Sequence, residues 1–133
     1  MPVHALVAEE DINLHQVVHD ILEMCFKDVV IERAMTSDSL RSKLSESAHT
    51  YDLVLLDLDF DTLHDDDVLG AIRSRMPELD ARLIVLASNG EDVRRNEQTR
   101  GLAYVLHPFS LDDFTDTVMQ VHARRLEQQH DEE

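Results

Sequence analysis

Between Asp52 and Asp57 the chain reads Leu-Val-Leu-Leu, an unbroken apolar run with a carboxylate at each end. A strand with one wet face alternates apolar and polar residues, and this segment does not alternate, so both of its faces need cover. It is also far too short to span a bilayer. The run from Asp52 to Leu56 therefore predicts a central parallel strand with helices packed on each side.

The flanking sequence supplies what such a strand requires. His4-Ala-Leu-Val-Ala8 is another short buried run, after which Leu14, Val17, Val18, Ile21, Leu22 and Cys25 recur at helical spacing as one apolar stripe. Val29-Val-Ile-Glu-Arg33 predicts a second strand, followed by a helix from Ser37 to about Ala48 carried by Leu40 and Leu44. Beyond the central strand, Val68, Leu69, Ile72 and Met76 predict a helix that Pro77 stops. Arg82-Leu-Ile-Val-Leu-Ala87 and Leu102-Ala-Tyr-Val-Leu106 read as the fourth and fifth strands, with the polar stretch Glu91 to Arg100 as a helix between them. The last helix opens at Ser110-Leu-Asp-Asp113, a start that resembles a capping box, and buries Phe114, Val118 and Val121. Five strand-helix units predict a doubly wound α/β fold with a five-stranded parallel sheet and helices on both faces, its functional crevice at the carboxyl ends of the strands.

Composition narrows the function. The 133 residues carry 28 Asp or Glu against 12 Lys or Arg, a formal charge of -16 at pH 7. That charge repels a phosphate backbone and an anionic membrane alike, which argues against direct nucleic-acid or membrane binding. The start Met1-Pro2-Val3-His4 has no basic region leading into an apolar stretch, and Cys25 is the only cysteine, so an unexported protein in the reducing cytoplasm is expected. With no linker and no repeat, one domain from 1 to 127 and a polar tail from 128 to 133 are expected.

Each strand delivers polar residues at its carboxyl end: Glu9-Glu10-Asp11 after the first, Asp57-Leu58-Asp59 after the third, Ser88-Asn89 after the fourth and His107-Pro108-Phe109 after the fifth. Acids such as Asp65-Asp-Asp67 and Asp112-Asp113 are explained as charges at helix starts. Glu9, Glu10 and Asp57 are different, because separate strands bring their like charges into one crevice. Such a cluster usually holds a hard divalent cation.

In these pieces and their order the chain resembles the receiver domain of bacterial two-component response regulators, from Val3 to about Arg125. Ala5-Leu-Val-Ala-Glu-Glu-Asp11 resembles the family's first strand with its acidic pair, and Tyr51-Asp-Leu-Val-Leu-Leu-Asp-Leu58 the strand that carries the phosphoacceptor aspartate. Ser88 falls at the switch Ser/Thr, Tyr104 at the switch aromatic, and Pro108-Phe109 at the Pro-Phe pair that follows an active-site lysine. The resemblance implies a flavodoxin-like strand order 2-1-3-4-5. It implies that Asp57 accepts a phosphoryl group from a sensor histidine kinase or phosphotransfer protein. Mg²⁺, or another divalent cation, would be held by Glu9, Glu10, Asp57 and the backbone carbonyl of Asp59. Ser88 and Tyr104 would then pass the change to a face that binds a downstream protein partner. The implied role is phosphorelay signalling by a non-enzymatic phosphoprotein, and the end of the sequence near Arg125 suggests a stand-alone receiver.

The pattern breaks at the lysine, whose position is held by His107; the chain's lysines, Lys27 and Lys43, lie far earlier. A neutral imidazole offsets little charge at pH 7 unless the carboxylates hold its proton on. Both a damaged site and a tuned, pH-dependent one fit this substitution. Asp61 and Asp65 stand near positions where the family usually has Pro and Gly, Asp59 adds a further carboxylate, and Glu9-Glu10 replaces the commoner Asp pair.

Two other functions compete. One is a pseudo-receiver, an interaction module indifferent to phosphorylation. The other is a haloacid-dehalogenase-like phosphatase, suggested by Asp57-Leu-Asp59, although Thr62 is one residue too far on and that family's lysine is missing. Among the histidines, His15 and His19 lie one helical turn apart, which fits a solvated helix face better than a metal site.

Overall fold

A computed structural model describes residues 2–47, 51–58, 81–89, 91, 102–106 and 109–131. The expected helix around Val68 to Met76, and the one from Glu91 to Arg100 apart from Glu91 itself, lie outside the described residues. The elements described are β1 (Val3–Ala8), α1 (Ile12–Cys25), β2 (Val29–Ala34), α2 (Ser37–Ser47), β3 (Leu53–Asp57), β4 (Leu83–Ala87), β5 (Ala103–Leu106) and α3 (Leu111–Asp131). The strands form one sheet in the order β2-β1-β3-β4-β5, every neighbouring pair parallel. This is the doubly wound order 2-1-3-4-5.

Alternate residues of the strands feed two separate cores, because successive side chains of a strand point to opposite faces. Leu53 and Leu55 join Val3, Ala5, Val7, Ile84, Leu86 and Val105 on the face covered by α1 and α3. Val54 and Leu56 join Leu6, Ala8, Leu83, Val85 and Ala87 on the face covered by α2 through Leu40 and Leu44. All of β3 is buried, as its unbroken apolar run requires. Asp52 lies just outside the strand. Its amide donates to the His4 carbonyl (2.7 Å) and its Oδ2 accepts from the His4 amide (3.0 Å), tying the entry of β3 to β1.

Capping side chains set where the helices begin. Asp11 Oδ1 accepts from the amides of Asn13 (2.9 Å) and Leu14 (3.3 Å), opening α1. Thr36 Oγ1 accepts from the Ser39 amide at the start of α2, and Ser110 Oγ accepts from the Asp113 amide (3.4 Å) at the start of α3, where the sequence predicts a capping start. Backbone of α3 runs to Asp131, into the expected polar tail from 128 onward. One expectation is corrected. Val17 is not part of the buried stripe of α1, being 46% exposed while Val18, Ile21 and Leu22 are buried. At 100° per residue Val17 sits about 80° from the centre of that stripe, at the rim of the face.

Leu22 is fully buried between sheet and helices. Leu22→Ala is expected to lower the unfolding free energy by about 2–5 kcal/mol in urea titration, whereas Val17→Ala stays within about 0.5 kcal/mol of the wild type.

Candidate functional site

The parallel register assembles the site. Ala8 of β1 pairs with Leu56 of β3, so the next residues along, Glu9 and Asp57, arrive side by side at the carboxyl edge. Both are buried, Glu9 at 1% exposure and Asp57 at 5%, and they are the buried polar or charged residues among those described. Asp57 is held between its pairing with Leu86 and the bond from the Leu58 amide to the Leu86 carbonyl (2.7 Å). Glu9 ends the β1–β2 ladder through its amide, which donates to the Ala34 carbonyl (3.2 Å).

Glu9 Oε1 accepts from the Asp11 amide (3.0 Å), but its Oε2 is buried without a donor. The neighbouring group is the Asp57 carboxyl. Two ionised carboxylates have only acceptors to offer each other, so either a proton or a cation must lie between them. Burial and then the Asp57 carboxyl push the Glu9 carboxyl up to about 8. Two buried carboxyls meeting at one edge fit a hard divalent cation, whose charge would replace the proton.

The three acids that follow β1 have three different fates. Glu9 enters the buried pair, Glu10 is exposed, and Asp11 caps α1. Of the carboxylates that the sequence placed around a metal, Glu9 and Asp57 are brought together. Among the described residues no group of three or more His, Cys, Asp or Glu is arranged to hold a metal ion. Asp59, His107 and Pro108 lie outside the described residues. Ser88 is exposed directly after β4. Tyr104 pairs with Val85 across the sheet and packs, half-buried, against the core that contains Leu83, Val85 and Ala87.

Arg33 is a participant with no motif to announce it. It stands near the carboxyl end of β2, in register with Val7, and reaches past the strand end to the acidic loop. Its Nε donates to the Glu9 carbonyl (3.0 Å) and its Nη2 to the Glu10 carbonyl (2.8 Å). Once the strand order is known, the sequence signal is a cation near the end of the strand beside the acidic one. His15 and His19 are half-buried rather than solvated, with ring centroids 6.1 Å apart. Burial, then the charges of Arg33 and His19, hold the His15 imidazole below its ordinary value.

Comparison with known proteins bears on the fold. No family model matches the sequence. The transcriptional regulatory protein CitT of Bacillus subtilis is 24% identical over 123 residues, 92% of this chain, and the chain spans 54% of the length of that relative. A response regulator receiver domain protein from Clostridium thermocellum superposes with a TM-score of 0.77 at 18% identity, covering 92% of this chain and 96% of that one. The chemotaxis response regulator CheY4 of Vibrio cholerae gives 0.73 at 15% identity, covering 91% and 99%. The chain has the response regulator receiver fold. Within this receiver fold no helix of the described residues is long and apolar enough to cross a membrane.

The buried acid pair makes stability depend on pH. The folded protein keeps a proton on Glu9 between about 4.5 and about 8, whereas the unfolded chain releases it near 4.5. The proton stabilises the fold fully below that window, and the contribution is lost as pH rises through it. His15, with its folded value lowered, acts in the opposite direction, losing stability as pH falls, and is common to wild type and variant. In divalent-free buffer the melting temperature of the wild type is therefore expected to fall relative to that of Glu9→Gln as pH is raised across the window, measured by thermal melts of both proteins.

Proposed function

We propose that this chain is a signalling receiver that accepts a phosphoryl group on Asp57 from a phosphohistidine of a sensor kinase or phosphotransfer protein and acts by binding a protein partner. The observation that carries this reading is the buried Glu9–Asp57 pair at the carboxyl edge of a receiver sheet. The attacking atom is an Asp57 carboxylate oxygen: its bond to phosphorus forms as the bond from phosphorus to the donor imidazole nitrogen breaks, and the leaving imidazole takes up a proton. An anionic nucleophile and an anionic phosphoryl group repel each other, and a bound Mg²⁺ supplies the charge that offsets this. Glu9 and Asp57 would hold it, with Glu10 and the Asp59 carbonyl as the further oxygen donors.

The remaining residues take roles consistent with their places. Ser88, at the tip of β4, would donate to the phosphoryl oxygens. Tyr104, half-buried two strands from Asp57, would transmit the change toward the partner-binding face. In the sequence His107 takes the place of the family's lysine before Pro108-Phe109, so phosphoryl uptake would depend more heavily on the divalent ion. That substitution also favours the second reading, an interaction module indifferent to phosphorylation. Against the phosphatase reading stands the strand order, with Asp57 ending the central strand of a receiver sheet.

A small-molecule phosphodonor with Mg²⁺ is expected to add one phosphoryl group to the wild type, detected by intact-mass spectrometry, and none to Asp57→Asn. Beryllofluoride with Mg²⁺ is expected to shift the amide resonances of Asp57 and Ser88. An unmodified wild type, with partner affinity equal to that of Asp57→Asn, would establish the phosphorylation-independent module instead.

A further inference from the structure

We infer that Arg33 is the positioning residue of the acidic pocket: by gripping the carbonyls of Glu9 and Glu10 it holds the β1–α1 loop in the conformation that keeps Glu9 beside Asp57. The inference rests on the reading of that pair as a cation-holding phosphoacceptor site.

The backbone accounting of the loop leads to this role. The β1–β2 ladder ends with the Glu9 amide on the Ala34 carbonyl, and the helical bonds of α1 begin with the His15 amide on the Asp11 carbonyl. The carbonyls of Glu9 and Glu10 fall between these two systems, beyond the sheet and before the helix. Carbonyls stranded beside two carboxylates would add their negative ends to a pocket already short of positive charge. Arg33 takes both, at 3.0 and 2.8 Å, with two nitrogens of one planar group. Because β2 is bonded to β1 through the whole pairing from Val3↔Val29 to Ala8↔Ala34, the guanidinium is anchored to the same frame that places Glu9.

The guanidinium works through the backbone and not as a substitute for the absent lysine. The Glu9 carboxyl responds to burial, to Asp57 and to Asp11, with no cation among these influences. Its partners are consecutive carbonyls, which the planar fork meets through two nitrogens at once; the single ammonium nitrogen lacks that fixed geometry, so Arg33→Lys keeps the charge but weakens the grip. Residues that support metal-holding side chains in this way set how well those side chains meet the ion.

The test uses the whole chain with Arg33→Met, which retains an unbranched stem, and Arg33→Lys. Two quantities are read: hydrogen exchange at the Asp11 amide, which donates to Glu9 Oε1, and Mg²⁺ affinity followed by amide chemical shifts. Arg33→Met is expected to speed exchange at Asp11 and to weaken Mg²⁺ binding on the order of 10-fold, with protection of the β3 amides unchanged and Arg33→Lys lying between. Exchange at Asp11 and Mg²⁺ affinity equal to those of the wild type would overturn the proposal. Should the wild type bind no Mg²⁺, the phosphoacceptor reading fails by itself, and exchange at Asp11 still decides the role of Arg33. Should Arg33→Met not fold, Arg33→Lys decides: a partial loss supports the grip and wild-type behaviour refutes it.

Discussion

Burial of β3 on both faces is the constraint from which the rest of the molecule follows. A strand that can show neither face to water needs a neighbour on each edge and helices above and below. The two cores meet that need, one under α1 and α3 and the other under α2, and they interleave through alternate residues of the same strands. A residue at the end of such a strand has little freedom to move, since the ladder on one side and the cores above and below hold its backbone. Asp57 occupies that position, and the rigidity of the frame is what makes it a suitable point at which to concentrate charge.

The parallel arrangement then creates a conflict. Strands that run in the same direction end at the same edge, so acids that follow different strands are delivered to one place. Local bonding relieves part of the repulsion, because Asp11 is used to cap α1 and Glu10 remains in water. Glu9 has neither outlet. Ionised, its buried Oε2 in the pair with Asp57 would be a defect as a structural contact, since two carboxylates offer each other only acceptors. In a site that admits a cation the same defect becomes affinity. Arg33 acts on a different part of the loop, donating to the carbonyls of Glu9 and Glu10.

Much of this was legible in the chain. The strands came from apolar runs, and the helix start at Ser110 from its capping residues, because both signals depend on residues close in sequence. Val17 misled, since a stripe that spans about 100° of a helix has rims, and spacing alone does not say which rim the sheet covers. The carboxylates of the site could be named from the ends of strands, but their differing fates could not. Glu9, Glu10 and Asp11 are adjacent acids, and only their positions relative to β2, β3 and the first turn of α1 distinguish a buried pair from a wet side chain and a cap. Arg33 was invisible for the same reason, its partners lying 23 and 24 residues away.

The sequence by itself determined the doubly wound architecture and the central place of the strand ending at Asp57, because hydrophobic periodicity and capping are local and leave few ways to bury two faces of one strand. The resemblance in its motifs pointed to the receiver family on the same residues. Tertiary structure alone decided that Glu9 and Asp57 meet as a buried carboxyl pair, and that a guanidinium from the neighbouring strand takes the carbonyls of the loop after β1. Those outcomes depend on strand register, and register brings together residues that the chain keeps far apart.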